Sequence, residues 1–97
     1  MNTQVLEGEL TIFTATEMKP ALLAMLYADN DVEINLANIM DIDAAGLQLL
    51  ILLKREAARI GKSLRYVMHS NAVLDLIELA NLTSSFGDQI VLAHNEE

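Results

Sequence analysis

Few side chains in this 97-residue chain are able to do acid–base, nucleophilic or metal chemistry, and they are scattered. With no Cys, disulfides, thiolate nucleophiles and thiolate metal sites are excluded. The only histidines are His69 and His94, and no helical segment carries two at metal-ligand spacing. A lone His such as His69, just after a strand-like run, reads as a loop or edge residue rather than a ligand. Ser70, Ser84 and Ser85 lack the setting of a nucleophile elbow, and Ser70 reads as a helix cap. Neither the Rossmann nor the Walker glycine pattern occurs, so no loop is built to cradle phosphate. Asp41 and Asp43 remain. Two positions apart in an extended link they would point to one side, an arrangement that suits a divalent cation. The stronger reading has Asp43 cap a helix beginning near Ala44, where its charge also meets the positive helix end. This inventory points away from an enzyme and from any cofactor or metal.

The elements that must position these residues follow from periodicity. Met1 to Leu6 reads as a short strand, followed by an irregular link through Gly8-Glu9-Leu10. Thr14 and Glu17 have capping-box spacing, but Pro20 conflicts with so early a start, so the helix either kinks there or begins nearer Pro20. Val32 to Leu36 alternates as a strand. Leu47 to Ile60 is a helix with Leu50, Leu53, Ala57 and Ile60 inward, Gln48, Arg55 and Arg59 outward, and a glycine stop at Gly61. Leu64 to Met68 is a strand, Asn71 to Ala80 a helix, and Gln89 to Ala93 a last strand. Asn81 is expected as a left-handed C-terminal residue. Such alternation implies helices packed on a largely parallel sheet.

Composition sets the outer limits. The length fits one domain, folding which would bury about 64% of the unfolded chain's surface. Hydrophobic residues make up 53%, which argues against disorder. The net charge of −8 would repel a phosphate backbone, so nucleic acid and anionic membranes are poor partners. Five of six cations, Lys54, Arg55, Arg59, Lys62 and Arg65, cluster within twelve positions. The preferred reading is a solvated helix face, the alternative a docking patch for an acidic protein. The polar, acidic start is wrong for a secretory signal and no apolar run could span a bilayer, so a cytoplasmic location is expected.

Ile34-Asn35-Leu36 followed by Ile42-Asp43-Ala44-Ala45-Gly46-Leu47-Gln48-Leu49-Leu50 resembles the STAS family, the anti-sigma-factor antagonist fold. Gly8-Glu9-Leu10 before Thr14-Ala15, looking like that family's first turn, then Gly61-Lys62, Ser70-Asn71-Ala72-Val73 and Leu82 to Phe86, fall in family order. The resemblance spans nearly the whole chain. It implies one α/β domain over 1–97, with 94–97 a frayed tail, and a mixed, largely parallel sheet of four to five strands packed by three to four helices.

It also implies a non-catalytic interaction module of bacterial signalling, binding an anti-sigma factor or another kinase-like ATPase. The expected face combines Asp41, Asp43, Ala44, Ala45 and Gly46 with Gln48 and Leu52 on the helix and Gly8, Glu9 and Thr11 from the turn. Small residues at a helix start would let a partner's backbone approach closely. The family's phosphorylatable hydroxyl would fall at Ala44, and 38–53 contains no Ser, Thr or Tyr, so a phosphorylation switch is expected to be absent. An outward Leu52 fits either partner contact or an ordinary exposed leucine. Leu47 to Leu50 through Lys54-Arg55-Glu56-Ala57 looks closest to chemotaxis-associated and two-component members. A small subunit of a lipid-transport ATPase, and a small-ligand or nucleotide sensor, are the alternatives. A homodimer stays open.

Overall fold

The computed structural model describes residues 2–80, apart from the Ala80 side chain. Its elements run β1 (Asn2–Leu10), α1 (Ala15–Ala28), β2 (Asp31–Ile42), α2 (Ala44–Arg59), β3 (Ser63–Val67) and α3 (Asn71–Ala80). The expected strand at 89–93, the cap at Asn81 and the tail lie outside the described residues. Within them the sheet has three strands in the order β1-β2-β3, every pair parallel, with three helices. The α/β class holds, with fewer strands than the expected four to five.

Both crossovers step the same way across the sheet, so right-handed connections place α1 and α2 on one face. The two helices touch, while α3 packs on β2. The core is aliphatic. Val32, Ile34 and Leu36 of β2 alternate inward as their period requires, and Leu22 and Leu26 of α1 and Leu50, Leu53 and Ala57 of α2 close over the sheet. Among the described residues Tyr66 is the one aromatic buried in this core, and its hydroxyl donates to the Leu50 carbonyl at 2.6 Å. That bond satisfies the polar end of an otherwise buried ring.

Several boundaries differ from the sequence reading. Gly8-Glu9-Leu10 is strand, not link, because β1 stays paired with β2 as far as Leu10 opposite Ile42. The register slips between Gly8 and Glu9, and Gly8 supplies φ +85° there, a region where glycine carries no Cβ penalty. Likewise β2 continues to Ile42, absorbing the predicted link. α1 starts at Ala15 and runs through Pro20. Thr16 and Pro20 are both exposed, so the carbonyl that loses its donor can turn to water. The capping box does not form: the Thr14 hydroxyl donates to the Glu9 carbonyl at 3.0 Å and accepts from Thr11 N–H at 2.9 Å.

Other punctuation falls as read. Gly61 adopts φ +74°, and the pair Lys62 N–H to Ala57 carbonyl (2.9 Å) and Gly61 N–H to Ala58 carbonyl (3.3 Å) forms a Schellman stop. Ser70 caps α3 by accepting from Val73 N–H at 3.2 Å. His69 departs from its reading, being buried rather than at a loop edge.

The tightest junction is at Gly46. A Cβ there would stand 1.9 Å from the Leu10 carbonyl oxygen, a backbone atom that cannot swing aside. At Gly61 a Cβ meets open space. Gly46→Ala is therefore expected to destabilise by about 3 kcal/mol or more through overpacking, and Gly61→Ala by about 1–2 kcal/mol through its backbone angle alone. Urea denaturation of the two variants checks the order; an equal or smaller loss at Gly46 would contradict the close approach.

Candidate functional site

The residues expected to form a docking face come from the C-terminal ends of β1 and β2, the loop after β1 and the first turns of α2. What joins them is Asp43. Its backbone N–H donates to the Leu10 carbonyl at 3.3 Å, and its own carbonyl accepts from Leu47 N–H at 3.0 Å, opening the helix. One carboxylate oxygen accepts from Gly46 N–H at 3.1 Å, the expected cap. The other accepts from Ile12 N–H at 3.0 Å, across 31 residues of chain. The second bond had no signal in local spacing. These N–H donors, with the Ile12 bond the largest influence and Gly46 next, hold the Asp43 carboxyl below its ordinary range. With both oxygens engaged by the chain's own backbone, the cation-site reading of Asp41 and Asp43 loses its second ligand. Among the described residues no three His, Asp or Glu side chains gather in a metal-holding group.

The expected face divides. Ala44, Gln48 and Leu52 are exposed, as are Glu9 and Asp41, which stand opposite each other in the β1–β2 register. Gly8, Asp43 and Ala45 are half-buried. Gly46 is not available to a partner, because Leu10 already occupies the space beside it. Thr11 is also buried, its hydroxyl donating to Glu9 Oε1 at 3.1 Å and accepting from Phe13 N–H at 3.3 Å. Both residues serve the junction rather than its surface. Gly8 lies back along β1 opposite Ile39, away from the helix start.

The loop instead offers a pair that sequence reasoning passed over. Ile12 is 64% and Phe13 83% exposed, while Ile12 N–H is tied to Asp43. Two large apolar residues between threonines in a short loop were the available signal. Ile12 joins Ala45, Gln48 and Leu52 along an open groove of about 600 Å³ between α1 and α2.

The clustered cations keep to the solvated surface, with Arg55, Arg59 and Arg65 exposed, but most of them are tied to the chain itself. Lys54 folds back to the Leu64 carbonyl, with its ammonium 5.9 Å from the centre of the Tyr66 ring. Lys62 reaches the Tyr27 carbonyl at 2.6 Å, and Arg65 pairs with Glu33 at 2.7 Å. Arg59 makes a two-pronged contact with Glu56 at 2.8 and 2.6 Å, and Tyr27 donates to the same carboxylate at 2.7 Å. The Arg59 guanidinium first, then the Tyr27 hydroxyl, bring the Glu56 carboxyl down to about 2. Among the described residues Arg55 and the distant Lys19 are the cations that make no hydrogen bond or ion pair.

Because the Asp43 pKa is lowered on folding, its stabilisation is complete above the unfolded value of about 4. It is lost as pH falls through the lower folded value. Acid unfolding should therefore lose a component in Asp43→Ala, which abolishes both carboxylate bonds. Asp43→Ser, able to keep the Gly46 cap but not the Ile12 bond, should be intermediate in thermal midpoint at neutral pH. Equal midpoints for Asp43→Ser and the parent would contradict a structural role for the Ile12 bond.

The chain matches the family model described as Mlab, STAS domain, over residues 4–92. No curated protein sequence matches it. Its fold is similar to the crystal structure of a protein described as an anti-sigma factor antagonist from Thermotoga maritima. The TM-score is 0.76 at 20% identity, covering 92% of this chain and 78% of that one. An identity that low speaks for the fold alone, but the family match spans most of the chain. The chain belongs to the STAS domain family.

Proposed function

We propose that this domain is a non-catalytic docking module of bacterial signalling, binding a kinase-like regulatory ATPase at the start of α2 in the cytoplasm. The observation that carries the reading is Ala44, exposed in the first turn of α2 directly after a capping carboxylate that is already engaged. A partner meets there a small, uncharged surface, flanked by exposed Ile12 and Phe13 on one side and by Gln48 and Leu52 along the helix. Apolar side chains beside accessible backbone are what a protein partner can bury. The acids Glu9 and Asp41 at the same end favour a partner surface bearing cations.

Ala44 stands where the family resemblance places a phosphorylatable hydroxyl. A phosphoryl group there would add two negative charges beside Asp43 and Asp41, enough to disrupt a docked surface by repulsion. With alanine in place, docking is constitutive or is controlled from the partner's side. A chemotaxis or two-component pathway is the proposed setting. A small subunit of a lipid-transport ATPase would use the same loop.

Affinity capture from native cytosol, with the parent protein and Ala44→Glu, tests this. A kinase-like or transport ATPase recovered by the parent and lost in the variant is expected, and its identity separates the two settings. Equal recovery would move the interface elsewhere. Incubation with the captured partner and ATP should leave residues 38–53 unmodified by mass spectrometry. Heat released on titration with nucleotides in the partner's absence would favour the sensor alternative instead.

A further inference from the structure

The α1–α2 groove combines three properties that the docking loop alone does not explain. Its surface is mostly apolar, with Ile12 and Ala15 at one end and Leu52 along its side. It lies open to solvent along its length, whereas a small amphiphile is normally held in a site that encloses most of its surface. Its walls also carry the two cations left without a partner among the described residues, Lys19 on α1 and Arg55 on α2. Every other Lys or Arg is tied to the chain itself, in a protein whose net charge is −8. An acidic domain has thus kept one free cation on each side of a single apolar groove.

We infer that this groove is a receptor for an acidic amphipathic helix of the partner protein. The inference rests on the reading of the domain as a docking module and names the chemistry of the segment that would dock. From Ala45 to Arg59 the α2 wall is roughly 21 Å long at the helical rise, a length matched by about four turns of helix. Such a helix lays its apolar stripe on Leu52, Ile12 and Ala15 and sets carboxylates on its flanks against Lys19 and Arg55. At the far end Glu56 is closed off by Tyr27 and Arg59, so its charge does not oppose the incoming acids.

Two 16-residue capped peptides test this, one with leucines along a single helical face and glutamates on both flanks, the other with lysines replacing the glutamates. Titrated into the 15N-labelled full chain, the Glu peptide should shift the amides of Ile12, Ala15, Ala45, Leu52 and Arg55 saturably, and the Lys peptide should not. Lys19→Glu with Arg55→Glu should weaken the Glu peptide by about tenfold or more, and added salt should weaken it further. If that double reversal fails to fold, Lys19→Gln with Arg55→Gln should give a several-fold loss. Absence of saturable shifts, shifts mapping outside the groove, or equal binding of both peptides overturns the inference. Saturation of the same amides by dodecanoate with no response to the Glu peptide overturns it as well.

Loss of peptide binding with Ala44-sensitive capture intact removes the groove alone. Peptide binding with capture indifferent to Ala44→Glu removes the docking-loop reading alone.

Discussion

One carboxylate holds the start of α2 to the end of β1. Asp43 accepts from Gly46 N–H in its own helix and from Ile12 N–H in a loop 31 residues earlier, and its backbone N–H reaches Leu10. Gly46 lets the helix come close enough for this, since no other residue fits against the Leu10 carbonyl. Parallel strands do not pair through tight hairpins, so their ends must be fixed by the crossovers. Here a cap does both tasks: it satisfies helix-end donors and locks the loop that follows β1.

The consequence for function is a division of labour among neighbouring residues. Asp43, Gly46 and Thr11 hold the junction and have little left for a visitor. Ala44, Gln48, Leu52, Ile12 and Phe13 are what the held junction presents. A motif of Asp, two small residues and Gly-Leu thus mixes positions with opposite roles, and only the structure separates them. The charge pattern separates in the same way. A cluster of five cations along the chain becomes four internal ties and one free arginine, which lies across a groove from a lysine remote in sequence.

Features governed by local physics were legible beforehand. The Asp43 cap, the Ser70 cap, the Gly61 stop, the outward Gln48 and Arg55 and the alternation of β2 each follow from backbone chemistry within a few residues. The α/β class followed from the order of elements. Features set by distant partners were not. Nothing near Gly8 announces that β1 continues to Leu10, because that depends on pairing with β2. Thr14 has the spacing for a capping box, yet Glu9 and Thr11 claim its hydroxyl first. Gly46 looked like an open approach for another protein, but β1 fills it. His69 is buried by packing that its neighbours in sequence do not specify.

Native-state amide hydrogen exchange of Ile12 and Gly46, the two donors that share Asp43, measures the central tie most directly. Were the carboxylate to join loop and helix as one unit, the two amides would open with the same free energy and lose protection together in Asp43→Ala. An Ile12 amide exchanging at the rate of an unstructured loop, while Gly46 stays protected, would show that the helix start and the β1 loop are held independently.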